Sequence, residues 1–110
     1  MIVKEENRMI FSKIEIEELG NLNDKVSGMF DILLDGMENG NIEILKNCER
    51  IEAEIDEIVK SMRLNHLKRL QKGESMPLSG VIFSDIVLHF ERTRDLLYDI
   101  SRNLLEIGVN

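Results

Sequence analysis

The apolar positions Leu19, Leu22, Val26, Met29, Phe30, Leu33 and Met37 recur every three or four residues, the period of one helix face. They predict a first helix over about residues 13–38. Asn39, Gly40 and Asn41 follow, and because Gly and Asn accept the left-handed backbone that ends a helix, a short turn is expected there. A second stripe, Leu45, Cys48, Ile51, Ile55, Val59, Met62, His66 and Leu70, predicts a second helix. Its last turn carries Lys68, Arg69 and Lys72 ahead of Gly73, cations that suit the negative end of a helix dipole. The segment GESMPLSG, residues 73–80, holds the single proline of the chain and reads as a loop. From near Ser79, or somewhat before it, the stripe Ile82, Ile86, Phe90, Thr93, Leu97, Ile100, Leu104 and Ile107 predicts a third helix running to the C-terminus. No stretch shows the β-branched alternation of a strand.

Three amphipathic helices on short connections pack up-down-up. The expected fold is therefore all-α, an antiparallel three-helix bundle over residues 13–110, with residues 1–12 as an N-terminal extension or connection. The opening MIVKEENRMIFSKIE has weaker periodicity and reads as a frayed start, a short extra helix or a link to a further segment. A slim bundle has a high surface-to-volume ratio, and a leftover apolar strip on any helix favours pairing with a second bundle. A homodimer is the default expectation.

Composition narrows the class. A length of 110 residues fits one domain, and 43% hydrophobic with 32% charged residues describes a chain that folds. The net charge of −7 argues against a nucleic-acid or anionic-membrane surface, because phosphate binding needs clustered Lys and Arg. The single cysteine, Cys48, cannot form an internal disulfide and falls in the apolar stripe as a small core residue. There is no cationic-then-apolar leader and no apolar run of about twenty residues. The chain reads as cytoplasmic with no membrane span of its own, a reading compatible with its being the tail of a protein that has one.

Each helix carries one acidic pair at i, i+4: Asp31 and Asp35, Glu52 and Asp56, Glu91 and Asp95. With Ile86 set at zero and about 100° per residue, Glu91 and Asp95 lie about 140° and 180° away and point out of the expected core. Asp31 and Asp35 lie about 160° to 200° from the centre of their stripe, and Glu52 and Asp56 at the border of theirs. Twenty-one acids in 110 positions make such coincidences common, so the plain reading is a set of solvated faces. Like charges at this spacing cost a few tenths of a kcal/mol in an isolated helix. Carboxylates facing one another from neighbouring helices would instead supply oxygen ligands to a hard cation.

Other candidates are weaker. His66 on the second stripe reads as a satisfied, partly buried histidine. Asp85 and His89 at i, i+4 are half a metal site, and a hydrogen bond explains them as well. The sequence has no Gly-rich phosphate cradle, no G-x-S-x-G and no His-Glu-x-x-His, and neither histidine has Glu three residues before it. The expectation is a protein that is not an enzyme.

The segment LNHLKRLQKGESMPLSGVIFSDIVLHFERTRDLLYDIS, with CERIEAEIDEI upstream, resembles the PhoU-like helical domain, in the version attached to the cytoplasmic end of bacterial sodium/phosphate cotransporters. The residues that carry the resemblance are His66, Leu67, Arg69, Leu70 and Gly73, then Phe83, Asp85, Ile86, Glu91, Arg92 and Asp95. The resemblance implies a helical bundle that regulates phosphate uptake without catalysis, in contact with the membrane domain of a phosphate transporter or with a transport-regulatory protein, at the inner face of the cell membrane. It also implies metal at surface carboxylates, iron or zinc, with Glu91 and Asp95 as first ligands, Glu52 and Asp56 next, and Asp31 and Asp35 third. Two departures bear on that expectation: Arg94 stands where the family has glycine before the acid, and Leu96 where histidine often follows. An arginine there can neutralise the carboxylates from within and compete with a metal. The alternative is a structural helical dimerisation module without metal.

Overall fold

A computed structural model describes residues 11–107, with Ile44 and Leu45 described for their backbone only. The expectations for residues 1–10 and for the Leu45 side chain lie outside the described residues. Three helices pack side by side: α1 over Lys13–Asn39, α2 over Ile42–Gln71 and α3 over Pro77–Glu106. The molecule is elongated, 59 × 26 × 16 Å.

Local chemistry sets the helix ends. Ser12 caps α1: its hydroxyl accepts from the Glu15 N–H, while the Ser12 N–H donates to the Glu15 carboxylate at 2.8 Å, a capping box that satisfies two orphan donors. Helix α1 stops at Gly40, whose φ of 61° is the left-handed conformation glycine adopts at least cost. The Asn41 side chain then accepts from the Glu43 N–H in the first turn of α2. Gly73, at φ 73°, plays the same terminating role after α2. Pro77 occupies the first turn of α3, where a missing N–H costs nothing.

The core joins Leu22, Val26, Met29 and Leu33 from α1 to Cys48, Ile51, Ile55, Val59 and Met62 from α2 and to Phe83, Val87 and Leu97 from α3. The stripes expected on α1 and α2 are largely these residues, although Phe30, Met37 and Leu70 stay exposed at the margins.

Helix α3 departs from its expected face. The side chains it buries are Ser79, Gly80, Phe83, Val87, Arg94, Leu97 and Ser101, whereas Ile82, Ile86, Phe90 and Leu104 are half-buried and Thr93, Ile100 and Ile107 are exposed. At Gly80 the constraint is steric, because the approach to α2 leaves no room for a side chain. A Cβ on Gly80 would lie 2.8 Å from His66 Nε2, so α3 can approach α2 at that point only without one. Glu91 is thereby brought to the flank of the bundle, with 22% of its side chain exposed, instead of pointing away from the core.

Candidate functional site

The central polar feature is an arginine that the bundle buries. Helix α3 turns Arg94 into the seam with α2, leaving 11% of its side chain exposed, and its guanidinium meets three carboxylates. Asp95 accepts from Nη2 at 2.8 Å and from Nε at 3.1 Å; Asp56 accepts from Nη1 at 3.4 Å; a Glu52 oxygen lies 3.9 Å from Nε. Burial acts to lower the guanidinium pKa, but the hydrogen bond to Asp95 and the charges of Asp95, Glu52 and Asp56 outweigh it and hold the group above its ordinary value.

The six expected ligand residues are thus distributed as follows. Glu52, Asp56 and Asp95 converge, on Arg94. Glu91 is tied to Arg63 of α2, and Asp56 is shared with Lys60 at 3.3 Å. Asp31 and Asp35 stay on the exposed side of α1, where Asp35 accepts from the Asn39 side chain. Among the described residues no three His, Cys, Asp or Glu side chains stand where they could hold one metal ion. As the side chains stand, the α2–α3 donor set does not fit a metal: a fixed guanidinium fills the space between the carboxylates and supplies the positive charge itself. Asp85 and His89 approach to 3.8 Å on the exposed surface.

A second polar cluster closes the end of the bundle where α1 begins, α2 ends and α3 begins. Glu15 is buried there, 2% exposed, with one oxygen taking the Ser75 hydroxyl at 3.2 Å. The same oxygen lies 3.3 Å from His66 Nδ1 and 3.6 Å from Arg69 Nε. Burial alone would raise the Glu15 pKa; hydrogen bonds from Ser12 and Ser75 and the charge of Arg69 hold it below its ordinary value. The His66 ring stacks on Phe83 with centroids 4.8 Å apart, and Arg69 also binds Glu18 at 2.8 Å. Neither His66 nitrogen makes a hydrogen bond among the described residues, so the approach to Glu15 is a close contact rather than a directed bond.

These contacts give the His66, Arg69, Gly73 and Phe83 set singled out in the sequence a physical meaning. It is the clasp that joins three helix ends, and Gly80 is part of it. The S-x-x-E spacing of Ser12 and Glu15 signals the cap in the sequence; that Glu15 also binds residues some fifty to sixty positions away is not signalled. Cys48 is buried as expected, and that burial pushes its thiol pKa up, partly offset by a hydrogen bond with Ser101. A hollow of about 920 Å³ is an open groove between α1 and α2 crossed by the Lys25–Glu54–Arg50 bridge. No described helix is long and apolar enough to cross a membrane.

Comparison with known proteins adds one match: the family described as PhoU domain covers residues 19–104. No curated protein and no solved structure matches the chain.

Proposed function

The chain belongs to the PhoU domain family, a non-catalytic regulatory family of phosphate transport, and from that premise we propose that it regulates a phosphate transporter by contact at the cytoplasmic face of the membrane. The observation that carries the reading is the family match over residues 19–104, most of the described bundle. The geometry supports a scaffold: its two buried charged clusters pair internally and tie helices together, which fixes a shape for a partner to read. The transporter partner is of the sodium/phosphate cotransporter kind, to which the version of the domain that the sequence resembles is attached. The test is phosphate uptake in a host lacking this chain, with and without its return, under phosphate-rich and phosphate-poor growth. Regulation lost with the chain and restored with it supports the reading; uptake and its response to phosphate unchanged in both would end it.

A second reading has its own observation. Phe30, Leu34 and Met37 on α1, with Leu96 and Ile100 on α3, are large apolar side chains left at 42 to 64% exposure. They favour a homodimer, and a structural dimerisation module would need nothing more. Mass in solution, measured for the chain and for Phe30→Asp/Leu34→Asp, separates the two: a dimer split by the substitution with phosphate regulation intact favours transport control by the single bundle.

A further inference from the structure

A net charge of −7 hides an uneven distribution. Where α1 begins, α2 ends and α3 begins, Arg69 is spent on Glu15 and Glu18, and the exposed cations Lys13, Lys68 and Lys72 stand against the exposed acids Glu17 and Glu74. Along the body of the bundle the cations Lys25, Arg50, Lys60 and Arg63 each answer a carboxylate. At the end where α2 gives way to α3 the exposed Lys13, Lys68 and Lys72 form no ion pair among the described residues. The backbone adds to the asymmetry. This end carries the N-termini of α1 and α3 and the C-terminus of α2, so the helix dipoles leave it net positive. Helix α3 has no acid in its first turn and no capping side chain to offset that.

The same end is apolar. Leu64 and Leu67 at the end of α2, Met76 in the loop, and Leu78 and Val81 in the first turns of α3 are each more than half exposed. Leu67 and Leu70 line a hollow of about 280 Å³ between α2 and α3, and Val81 lines its neighbour, with Arg63 and Ser84 common to both. Exposed apolar side chains beside unpaired lysines, on the tip of an acidic rod, match a surface that is apolar beneath and anionic on top. The acidic body is repelled by such a surface, so the tip alone meets it.

We propose that this end docks on the anionic surface of a lipid bilayer, with Met76, Leu78 and Val81 entering the headgroup region and Lys68 and Lys72 against lipid phosphates. The proposal rests on the reading that the chain works beside a membrane transporter, and it names the end that faces the membrane. It also revises what the net charge alone implies, because a membrane meets a local face and not the sum over the chain.

The test is flotation of the whole chain with phosphatidylcholine vesicles and with vesicles containing phosphatidylglycerol, at low and high salt. Flotation is expected only with the anionic vesicles and only at low salt. Lys68→Gln/Lys72→Gln should weaken partitioning about thirtyfold, since a basic side chain near such a surface contributes about 1 kcal/mol. Leu78→Asp/Val81→Asp should abolish it, and because an acid at Leu78 suits the first turn of α3 while one at the exposed Val81 costs only a few tenths of a kcal/mol against Asp85, thermal melting of that variant should stay close to the parent. No flotation, equal flotation with neutral vesicles, or flotation indifferent to both variants overturns the proposal. Capture by an isolated transporter membrane domain in detergent with no vesicle binding also overturns it, and leaves transport regulation standing. Vesicle binding with phosphate uptake unaffected by loss of the chain would retain the docking end and remove the transport reading.

Discussion

Replacing Arg94 by methionine keeps the length of an aliphatic stem and removes the charge. In a fully buried pair, loss of one partner costs about 3–5 kcal/mol, because the other charge is left without compensation. In an exposed pair the loss is about 0–1 kcal/mol. The Arg94 cluster lies between these limits: the guanidinium side chain is 11% exposed, while Glu52, Asp56 and Asp95 retain 31, 45 and 61%. Water can rehydrate Asp95 and Asp56 but not readily Glu52, and the three acids then repel one another across the α2–α3 seam. A net loss of about 2 kcal/mol follows, equivalent to a fall in Tm of roughly 10 °C for a domain of this size. Thermal melting followed by circular dichroism measures it.

The same reasoning fixes the sign of the coupling. In a double-mutant cycle, Asp95→Asn should cost less in the Arg94→Met background than in the parent, with an interaction of about 1 kcal/mol. Arg94→Met within about 0.5 kcal/mol of the parent, or a coupling near zero, would refute the account of Arg94 as the tie between α2 and α3. Read from the sequence as a merely solvated row in a structural module, Glu91 and Asp95 would leave stability equal or better in Glu91→Gln/Asp95→Asn, because like-charge repulsion is relieved. With Glu91 on Arg63 and Asp95 on Arg94, the variant should lose stability instead.

Further outcomes follow from the two clusters. Gly80→Ala puts a methyl 2.8 Å from His66 Nε2 and should cost about 1–3 kcal/mol in urea denaturation, a penalty that shrinks in a His66→Ala background. The Glu15 carboxyl titrates below its ordinary value of 4.5 in the folded state, so near that value the unfolded chain binds more protons. Its contribution is complete above 4.5 and is lost as pH falls through the lower folded value; Glu15→Gln should flatten this acid limb of the urea midpoint, and an unchanged limb would count against the buried carboxylate. Elemental analysis of the purified chain should find no stoichiometric iron, zinc or manganese, since Arg94 already neutralises the converging acids. Metal present in the parent and lost in Glu91→Gln/Asp95→Asn would instead make the outer carboxylates ligands.

The parts of the fold legible in the sequence are those where burial and hydrophobicity coincide. On α1 and α2 the buried line is Leu22 to Leu33 and Cys48 to Met62, apolar throughout, so counting every third or fourth residue finds it. On α3 the line passes through Ser79, Gly80, Arg94 and Ser101, and a hydrophobic count slides off it onto the adjacent isoleucines. That slip displaced the site as well: with Ile86 taken as the centre, Glu91 and Asp95 point outward, whereas the true centre near Phe83 and Val87 brings Glu91 and Arg94 to the α2 seam. The replacement of the family glycine by Arg94 was visible and pointed to internal neutralisation. What no local pattern could show is that Glu15 would be buried among His66, Arg69 and Ser75, because that cluster exists only once α1, α2 and the loop before α3 meet.

The two clusters also tie α2 to α3. Gly80 lets α3 lean against α2 at the clasp, and Arg94 holds the same two helices together about four turns further on. With α2 and α3 joined at these two points, Ile100 and Leu96 on α3 stay 42 and 64% exposed. A bundle that fixes its helices with buried charge in this way can keep apolar side chains on its outside without losing its register.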